Sequence, residues 1–434
     1  MDMDDMILVS VDDHVVEPAD AFVKHFPKAL MDRAPVNKRI DGKDVWLFEG
    51  SRYPGIGINS VVGRPRSEYG MEPSSYDQMR KGCYSPKERV DDMNANGVLG
   101  SLCFPSFPLF AGSVFAALED KALALASVRA YNDWHVYDWC GHAPGRFIPM
   151  ILLPLWDVDA SVAEIQRMSA LGVHAVSFPD NPVALGLPSL HDPVWNPLWS
   201  ALSDHAMVIN CHIGSGTLVP HASPDTPIDA WIITMPMSIC FAAADWLNAP
   251  FWKDYPNLKM ALSEGGIGWI PYFLERADFT YTHHREWTHS NYGGQKPSEQ
   301  FRKHILTCFI DDQFGLENLH HIGEDSVMWE CDYPHSDTLW PECPEGLWPS
   351  LKHLPESTIN KITHLNAMRE FNYDPFSILG RENCTVGALR AQAKDVDISV
   401  KSGLGGLSTK SMNQDGEERR PVTSREIIEM FGSA

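Results

Sequence analysis

Two sequence motifs common in other protein classes are missing from this chain. None of its nine cysteines forms a CxxC pair, and no GxGxxG motif follows the first apolar segment. An odd cysteine count without that spacing indicates neither a disulfide framework nor a structural zinc knuckle. The missing glycine motif removes the usual dinucleotide-binding interpretation. We expect most cysteines to be small buried apolar residues.

Basic residues are also scarce, since 35 Lys and Arg stand against 57 Asp and Glu, a formal charge of −22. Such a charge repels nucleic acid and anionic membranes, so we expect neither as a partner. No apolar run is expected to reach the roughly 18–20 residues of a membrane span. The start of the chain, MDMDDMILVS, is acidic and lacks a signal-peptide cleavage site. We therefore expect a cytoplasmic protein that binds a small molecule.

Short apolar segments alternate with stretches of helical period over more than 300 residues. Helical stretches are predicted at 86–96, 114–140, 161–170, 193–205 and 267–278. Such alternation predicts a parallel sheet, and seven or eight strands favour a closed barrel over an open sheet. The predicted strands are Met6–Val11, Val98–Phe104, Phe147–Leu153, His174–Phe178, Met207–Cys211, Leu258–Leu262, His304–Ile310 and Ser326–Trp329.

The fold class predicted from this pattern is α/β, a (β/α)8 TIM barrel with insertions in its early loops and a C-terminal extension. Residues 1–376 would form the metal-dependent barrel. Residues 36–75, rich in Gly, Pro and Arg, are interpreted as an insertion or an extended loop over its mouth. Residues 377–434 would pack on the barrel or on a neighbouring subunit, and a capping box at Thr423–Glu426 predicts a short helix there. We expect a homo- or hetero-oligomer.

Polar residues follow four predicted strands at the end where barrels build their active sites. They are Asp12 and His14, His212, Glu264, and Asp332. Side chains alternate along a strand, so Asp12 and His14 share one side. The last strand of a closed barrel neighbours the first, which brings Asp332 to them, and His212 approaches across the mouth. Two His and two Asp are ligands that suit Zn²⁺, Mn²⁺ or Fe²⁺.

Several motifs resemble those of the amidohydrolase-related family, whose best-known type is aminocarboxymuconate-semialdehyde decarboxylase. The stretch from Ser10 to Pro18 is similar to its opening metal motif, Cys211–Gly216 to its fifth-strand motif, and Asp332–His335 to its eighth-strand motif. Gly266–Pro271 and Asn366-Ala367 also match. The resemblance covers about residues 7–375. It implies a metal-dependent barrel, whereas the family's reactions include hydrolysis, hydration, non-oxidative decarboxylation and, in a few relatives, oxygen activation at a dinuclear iron or manganese–iron site.

Two departures from the family pattern bear on the site. Relatives that are decarboxylases carry a His at the end of strand six, where this chain has Glu264, and many carry a His where it has Asp12. Glu264 could be a general base or a ligand to a second ion. Glu17 and His335 are the other candidates for that second ion, although Glu17 is open to a structural role and family resemblance favours a substrate-facing role for His335. We expect one divalent ion, with two as the open alternative.

The resemblance and the ligand set leave three functions open. In the first, Glu264, Asp332 and His335 support hydrolysis or decarboxylation of a small carboxylate-bearing substrate. In the second, the excess of carboxylates indicates an iron-containing pair and an oxygenase. In the third, the chain is a catalytically silent partner subunit. No substrate-binding residue is assigned. Residues 52–76 and 338–349 are expected to shape the pocket, and Arg64, Arg66 and Arg80 are carboxylate-binding candidates.

Overall fold

The computed structural model describes residues 1–70, 73–217, 219–402 and 421–432. Its centre is a ring of parallel strands whose residues are almost all buried, as expected when helices cover a parallel sheet. In chain order the strands are β1 (Val9–Val15), β2 (Val36–Ile40), β3 (Lys43–Phe48), β4 (Ser51–Tyr53), β5 (Gly100–Pro105), β6 (Phe147–Ile148), β7 (Met150–Ile151), β8 (Ala175–Ser177), β9 (Val208–His212), β10 (Lys259–Ser263), β11 (Ile305–Phe309) and β12 (Val327–Trp329).

The parallel strands pair as two sheets, one in the order β1-β5-β6 and the other in the order β7-β8-β9-β10-β11-β12. β6 and β7 are two halves of the third barrel strand, separated at Pro149. The last strand meets the first just beyond the end of β12. There, Asp332 donates its backbone N–H to Asp12 O at 2.9 Å, and His14 donates to Tyr333 O at 2.7 Å. Eight parallel strands therefore surround the core, and the predicted (β/α)8 barrel is confirmed.

Helices lie on the outside of this ring, between successive barrel strands. The predicted first helix is confirmed, and Gly97 ends it in the left-handed region at φ 76°. In chain order the helices are α1 (Pro86–Asn96), α2 (Ser113–Ala116), α3 (Lys121–Trp134), α4 (Val158–Ser169), α5 (Asn196–Asp204), α6 (Ile228–Met237), α7 (Ile239–Leu247), α8 (Ile270–Thr288), α9 (Pro297–His304), α10 (Gln313–Glu317), α11 (Leu319–Ile322), α12 (Cys343–Leu351), α13 (Glu356–Asn360), α14 (Asn366–Glu370), α15 (Phe376–Leu379), α16 (Val386–Gln392) and α17 (Ser424–Gly432).

Most element boundaries differ from the sequence prediction by one to three residues, and three differences are larger. β1 begins at Val9 and continues through its polar residues to Val15, because those residues are buried in the barrel. The stretch 114–140 contains α2, α3 and a π-helical turn, and Asp120 caps α3 through the N–H groups of Ala122 and Leu123. The helix predicted at 267–278 begins at Ile270 and ends at Thr288.

The region 36–75 is more ordered than predicted. Its first part is a small antiparallel sheet in the order β2-β3-β4, not an extended loop. Its next segment lies against the eighth-strand motif, where the N–H groups of Val61 and Val62 donate to Pro334 O at 3.0 and 3.1 Å. This insertion therefore packs beside one of the predicted metal-binding segments.

The described parts of the C-terminal extension contact the barrel and its insertions. Val386 donates to Met6 O at 2.8 Å, and Lys401 donates to Gly63 O at 2.9 Å. The start of α17 is tied to the loop that follows β9 through the hydrogen bond from Ser424 N to Thr226 O. One of the two bonds of the predicted capping box is seen, because Thr423 N donates to Glu426 Oε2 at 2.8 Å. Residues 403–420 of this extension lie outside the described residues.

One apolar stretch corrects the expectation about membrane-length segments. Residues Ile228–Leu247, which form α6 and α7, have a mean hydropathy of 1.4 over an 18-residue window, long and apolar enough to span a membrane by composition alone. Only 33% of that window is buried. Asp229, Asp245 and Pro236 interrupt the stretch, and the two helices meet at Ser238. A single segment of this kind is weak evidence for membrane insertion.

His135, in the π-helical turn, provides a test of the packing behind the barrel. Its ring is buried and stacks on Tyr131, and among the described residues neither ring nitrogen has a hydrogen-bond partner. Burial lowers its pKa to about 3, so stability is lost as pH falls from about 6.5 towards that value. Between pH 7 and 4.5, chemical denaturation should show wild type losing about 3 kcal/mol more unfolding free energy than His135→Phe. Equal losses in the two proteins would contradict this.

Candidate metal centre

The predicted polar residues converge at the C-terminal end of the barrel. Asp12 and His14 lie within β1, and His212 is the last residue of β9. Glu264 follows β10 directly, and Asp332 follows β12 by three residues. In the barrel order these are strands one, five, six and eight, as the sequence motifs predicted. All of these side chains are buried.

The distances among their ligand atoms are short. His14 Nε2 lies 3.6 Å from Asp12 Oδ1 and 3.3 Å from Asp332 Oδ1. His212 Nε2 lies 2.8 Å from Glu264 Oε2 and 3.7 Å from Asp12 Oδ2. These separations are compatible with bonds of about 2 Å to a common ion. The site therefore brings together the four predicted ligands and Glu264.

His335 joins the same cluster from the eighth-strand motif. Its Nδ1 lies 2.9 Å from Asp332 Oδ1, and its ring stacks on that of His14 with centroids 3.8 Å apart. The ligand atoms fall into two overlapping groups, each within 4.8 Å. One group contains His14, Glu264, Asp332 and His335, and the other contains Asp12, His14 and His212.

The chemistry of these atoms fits a cation. Among the described residues, no group outside the cluster forms a hydrogen bond with the carboxylate oxygens of Asp12 and Asp332, the ring nitrogens of His14 or the Nε2 of His212. Leaving a buried polar atom unpaired costs about 1–3 kcal/mol, so a folded protein seldom carries several together without a ligand. A divalent ion would bind one nitrogen of His14, Nε2 of His212 and carboxylate oxygens of Asp12 and Asp332.

Neighbouring groups orient the ligands. The Nδ1–H of His212 donates to Ile213 O at 2.6 Å, which leaves Nε2 directed at the cluster. Such a hydrogen bond fixes the tautomer of a metal-binding imidazole. The tautomer follows from this geometry because a carbonyl can only accept. Arg89 donates to His14 O at 2.5 Å from a fully buried position and so holds the backbone of β1.

Asp13 points away from the cluster, as the strand period predicts. Its carboxylate accepts hydrogen bonds from the Ser10 and Ser101 hydroxyls and from the backbone N–H of Tyr333, the last at 3.0 Å. Asp13 therefore joins β1, β5 and the eighth-strand motif underneath the site. Its role is to connect the strands that carry the ligands.

Glu264 and Asp332 share an unusual backbone conformation. Their φ angles are +59° and +55°, in the left-handed region that non-glycine residues rarely adopt. Residues held in this way cluster at functional sites because the surrounding structure must impose the strain. Both positions follow a strand directly or closely, where the chain turns away from the barrel.

Burial and mutual repulsion shift the pKa values of the site. Burial raises the pKa of the Asp12 carboxyl well above its usual range, and the charges of Glu330 and Glu264 add to this. The pKa of Asp332 is raised by burial and by Glu264 and Asp12. Burial would also raise the pKa of Glu264, but His212 outweighs it and the net shift is downward. A bound divalent ion stabilises ionised carboxylates and would lower the raised values.

Two histidines of the site, His14 and His335, have pKa values shifted towards the neutral form. Burial lowers the pKa of His335 to about 4. Burial also lowers the pKa of His14 well below its usual value, and the neighbouring His335 and His212 contribute to this. Neutral imidazole is the form that binds a metal ion. His14 and His335 are therefore in the form that can bind a cation.

The structure does not bring Glu17 to the cluster. Its carboxylate accepts backbone hydrogen bonds from Ser106 at 3.1 Å and from Phe107 at 2.8 Å. Those bonds account for its burial as a loop carboxylate, the structural alternative that the sequence left open. Burial raises its pKa to about 7. The second-ion prediction is thus left with Glu264 and His335.

The arginine candidates for substrate binding are occupied elsewhere or exposed. Arg80 makes a bidentate ion pair with Asp92, at 2.6 and 2.8 Å. Arg64 donates to Gln78 O from both Nε and Nη2. Arg66 is exposed. Residues 338–349, which were predicted to shape the pocket, include the first part of α12, which begins at Cys343.

Two residues near the site were not singled out from the sequence. Phe110 places its ring 4.0 Å from the His212 ring and 5.3 Å from the His14 ring, centroid to centroid, and so forms an apolar wall. Glu330 is buried beneath Glu264, and burial raises its pKa to about 8. Phe110 lies in a loop without a periodic signal. Glu330 lies two residues before Asp332, and a carboxyl group directly after a buried strand could have identified it as a candidate site residue.

Comparison with known proteins identifies relatives of this chain. A model of the amidohydrolase family (Amidohydro_2) matches residues 24–372. The γ-resorcylate decarboxylase of Rhizobium sp. (strain MTP-10005) is 22% identical over 275 residues, which cover 59% of this chain and 80% of that protein. These similarities extend over most of the barrel.

Two solved structures share the fold. An amidohydrolase from Mycobacterium avium subsp. paratuberculosis K-10 aligns with a TM-score of 0.64 at 20% identity, over 84% of this chain and 99% of that one. A 5-carboxyvanillate decarboxylase from Novosphingobium aromaticivorans DSM 12444, with bound manganese and 3-methoxy-4-hydroxy-5-nitrobenzoic acid, aligns with a TM-score of 0.58 at 17% identity, over 84% and 97% of the two chains.

Proposed function

Since this chain belongs to the amidohydrolase family, whose model matches residues 24–372, we propose that it decarboxylates a small carboxylate-bearing substrate without an oxidant. The observation that carries the proposal is the convergence of the unpaired ligand atoms of Asp12, His14, His212 and Asp332 at the barrel mouth. Decarboxylase relatives add support, because the curated relative and the manganese-containing structure described above both carry that activity in their names.

These four side chains would hold the principal ion. Two imidazoles and two carboxylates suit Mn²⁺, Zn²⁺ or Fe²⁺, and manganese is the ion in the structure from Novosphingobium aromaticivorans. The ion would supply Lewis acidity, which polarises a carboxylate oxygen and lowers the pKa of water. Phe110 would provide an apolar wall beside the substrate, since its ring lies against those of His212 and His14.

We assign the proton transfer to the carboxyl of Asp332. The substrate carbon that bears the carboxylate takes up this proton, and the bond to the carboxylate carbon then breaks, releasing CO2 and leaving hydrogen in its place. Burial and the repulsion of Glu264 and Asp12 raise the pKa of Asp332 and would oppose the lowering that a bound ion causes. His335 Nδ1, 2.9 Å from Asp332 Oδ1, is placed to return a proton after each turnover.

Hydrolysis uses the same residues differently. Glu264 or Asp332 would take a proton from water, which then attacks a substrate carbonyl. Decarboxylation is favoured by the names of the relatives, and the products decide between the two reactions. Decarboxylation releases one CO2 per substrate consumed, whereas hydrolysis releases none.

A dinuclear oxygenase is the second candidate, and the two overlapping ligand groups that share His14 favour it. Three carboxylates, Asp12, Glu264 and Asp332, carry more negative charge than one divalent ion neutralises. Iron and manganese accept oxygen-rich surroundings more readily than zinc does. This reading requires two metal equivalents including iron, together with O2 uptake during turnover.

The experiment combines metal content with product analysis. Protein loaded with Mn²⁺, Zn²⁺ or Fe²⁺ would be screened against hydroxylated aromatic and other small carboxylates, while CO2 release and O2 uptake are recorded together. We expect CO2 release without O2 uptake, and activity lost on chelation and restored by the ion. O2 uptake coupled to substrate loss would replace this proposal with the oxygenase.

The domain boundaries, the location and the partners of the protein complete the proposal. We propose that residues 1–376 form the catalytic barrel and 377–434 an extension packed on it, supported by the contacts of Val386 and Lys401 described above. We propose a cytoplasmic oligomer that binds neither nucleic acid nor membrane, supported by the charge of −22. A silent partner subunit is the alternative, in which His212→Ala would leave the activity of an assembly unchanged.

A further inference from the structure

We infer that Glu330 is a positioning residue that holds Glu264 in its active geometry. The inference rests on the proposed function, because it concerns how that same site is assembled. Glu330 follows β12 directly and is fully buried. Its carboxyl group lies under the metal centre and outside both ligand groups found among the described residues.

The contacts of Glu330 join three neighbouring barrel strands. Its Oε2 accepts a hydrogen bond from the backbone N–H of Glu264 at 3.1 Å, just beyond the end of β10. The same oxygen accepts one from Cys308 Sγ, in β11, at 2.6 Å. Glu330 N donates to Phe309 O at 3.0 Å, which fixes its own backbone to β11. One carboxyl group therefore connects strands six, seven and eight at the level of the site.

The bond to Glu264 matters because of that residue's backbone. Glu264 is held at φ +59°, a conformation that costs a non-glycine residue free energy and persists only when its surroundings impose it. In this conformation its side chain reaches His212, with Glu264 Oε2 2.8 Å from His212 Nε2. The N–H that Glu330 accepts belongs to this strained residue. Loss of the acceptor leaves a buried N–H unpaired and frees the backbone to relax.

A general structural role would not require this chemistry. Burying an uncoordinated carboxyl group is costly, and an apolar side chain of similar size would pack the same space at lower cost. Glu330 instead provides an acceptor for the backbone N–H of Glu264 itself. Outer contacts of this kind commonly change metal affinity or activity by about 10–100-fold when they are lost.

The test compares two variants of similar volume. Glu330→Gln retains an acceptor for Glu264 N, whereas Glu330→Met does not. We expect Glu330→Gln to keep kcat within about 5-fold of wild type and Glu330→Met to lose about 30–100-fold in kcat with KM little changed. Glu164→Gln is the matched control, since Glu164 is a buried carboxylate that accepts from Asn132 and Arg167 on the outer helices.

Crystal structures of the metal-free wild type and both variants provide a readout independent of turnover. In Glu330→Met, we expect the φ angle of Glu264 to leave the left-handed region and its carboxylate to move away from His212 by more than about 1 Å. In Glu330→Gln, both should stay in place. An unchanged Glu264 in Glu330→Met, or equal kcat losses in both variants, overturns the positioning role. If the wild type has no decarboxylase activity and Glu264 is nevertheless displaced in Glu330→Met, only the proposed function is overturned.

Discussion

Asp332→Ala is expected to lower kcat/KM by about 10³–10⁴-fold and to strip the protein of its principal metal ion. Asp332 is buried at the junction of the first and last barrel strands, and its Oδ1 lies 3.3 Å from His14 Nε2 and 2.9 Å from His335 Nδ1. The substitution removes a ligand and, in the proposed mechanism, the proton donor. Lewis-acid stabilisation is worth several kcal/mol, and each 1.36 kcal/mol is tenfold in rate.

Inductively coupled plasma mass spectrometry of the purified variant, together with steady-state kinetics, checks this expectation. Asp245→Asn serves as the control, because Asp245 is an exposed carboxylate on α7 with no place in the cluster. That control should keep its metal and its kcat/KM. An Asp332→Ala protein with full metal content and near-normal turnover would show that the ligand set is misassigned.

Glu264→Gln is expected to lower kcat by about 10²–10⁴-fold while the principal ion remains bound. Its carboxylate is the charged group nearest His212, and its repulsion helps to raise the pKa of Asp332. Gln keeps the shape but removes the charge and the ability to exchange a proton. In the proposed decarboxylation Glu264 acts through Asp332, the general acid, and such groups commonly contribute 10²–10⁴-fold.

The pH dependence separates this role from simple disruption. Without the Glu264 charge, Asp332 loses one cause of its raised pKa, so the basic limb of the kcat profile should move to lower pH in Glu264→Gln. Thermal stability near that of wild type would confirm that the fold is intact. Loss of one of two bound ions would instead assign Glu264 as a ligand of a second ion, and unchanged kcat would remove it from the mechanism.

The candidate metal cluster could be predicted from the sequence because it depends on two simple structural regularities. Side chains at i and i+2 share a strand face, which placed Asp12 with His14 and turned Asp13 away. Parallel strands present their carboxyl ends on one side, which brought His212, Glu264 and Asp332 together. The hydrogen bond from Asp332 N to Asp12 O then brings the segment after the last barrel strand next to the first barrel strand.

The features that escaped prediction depend on tertiary packing. Nothing local to Glu264 signals a left-handed backbone, because a partner 66 residues away supplies the acceptor for its N–H. Glu17 resembles a metal ligand in sequence, yet the loop after β5 offers it two backbone N–H groups instead. The antiparallel sheet at β2–β4 lies in a region rich in Gly and Pro, where pairing with a neighbouring strand decides the conformation.

The central claim is that Asp12, His14, His212 and Asp332 bind a divalent ion, and gentle purification followed by metal analysis tests it most directly. We expect at least one equivalent of Mn, Zn or Fe per chain. Stripping the ion should lower the melting temperature, and excess ion should restore it, since a ligand at 100 times its Kd adds about 2.7 kcal/mol to stability. A protein that is metal-free as purified, and whose melting temperature is insensitive to all three ions, would contradict the account.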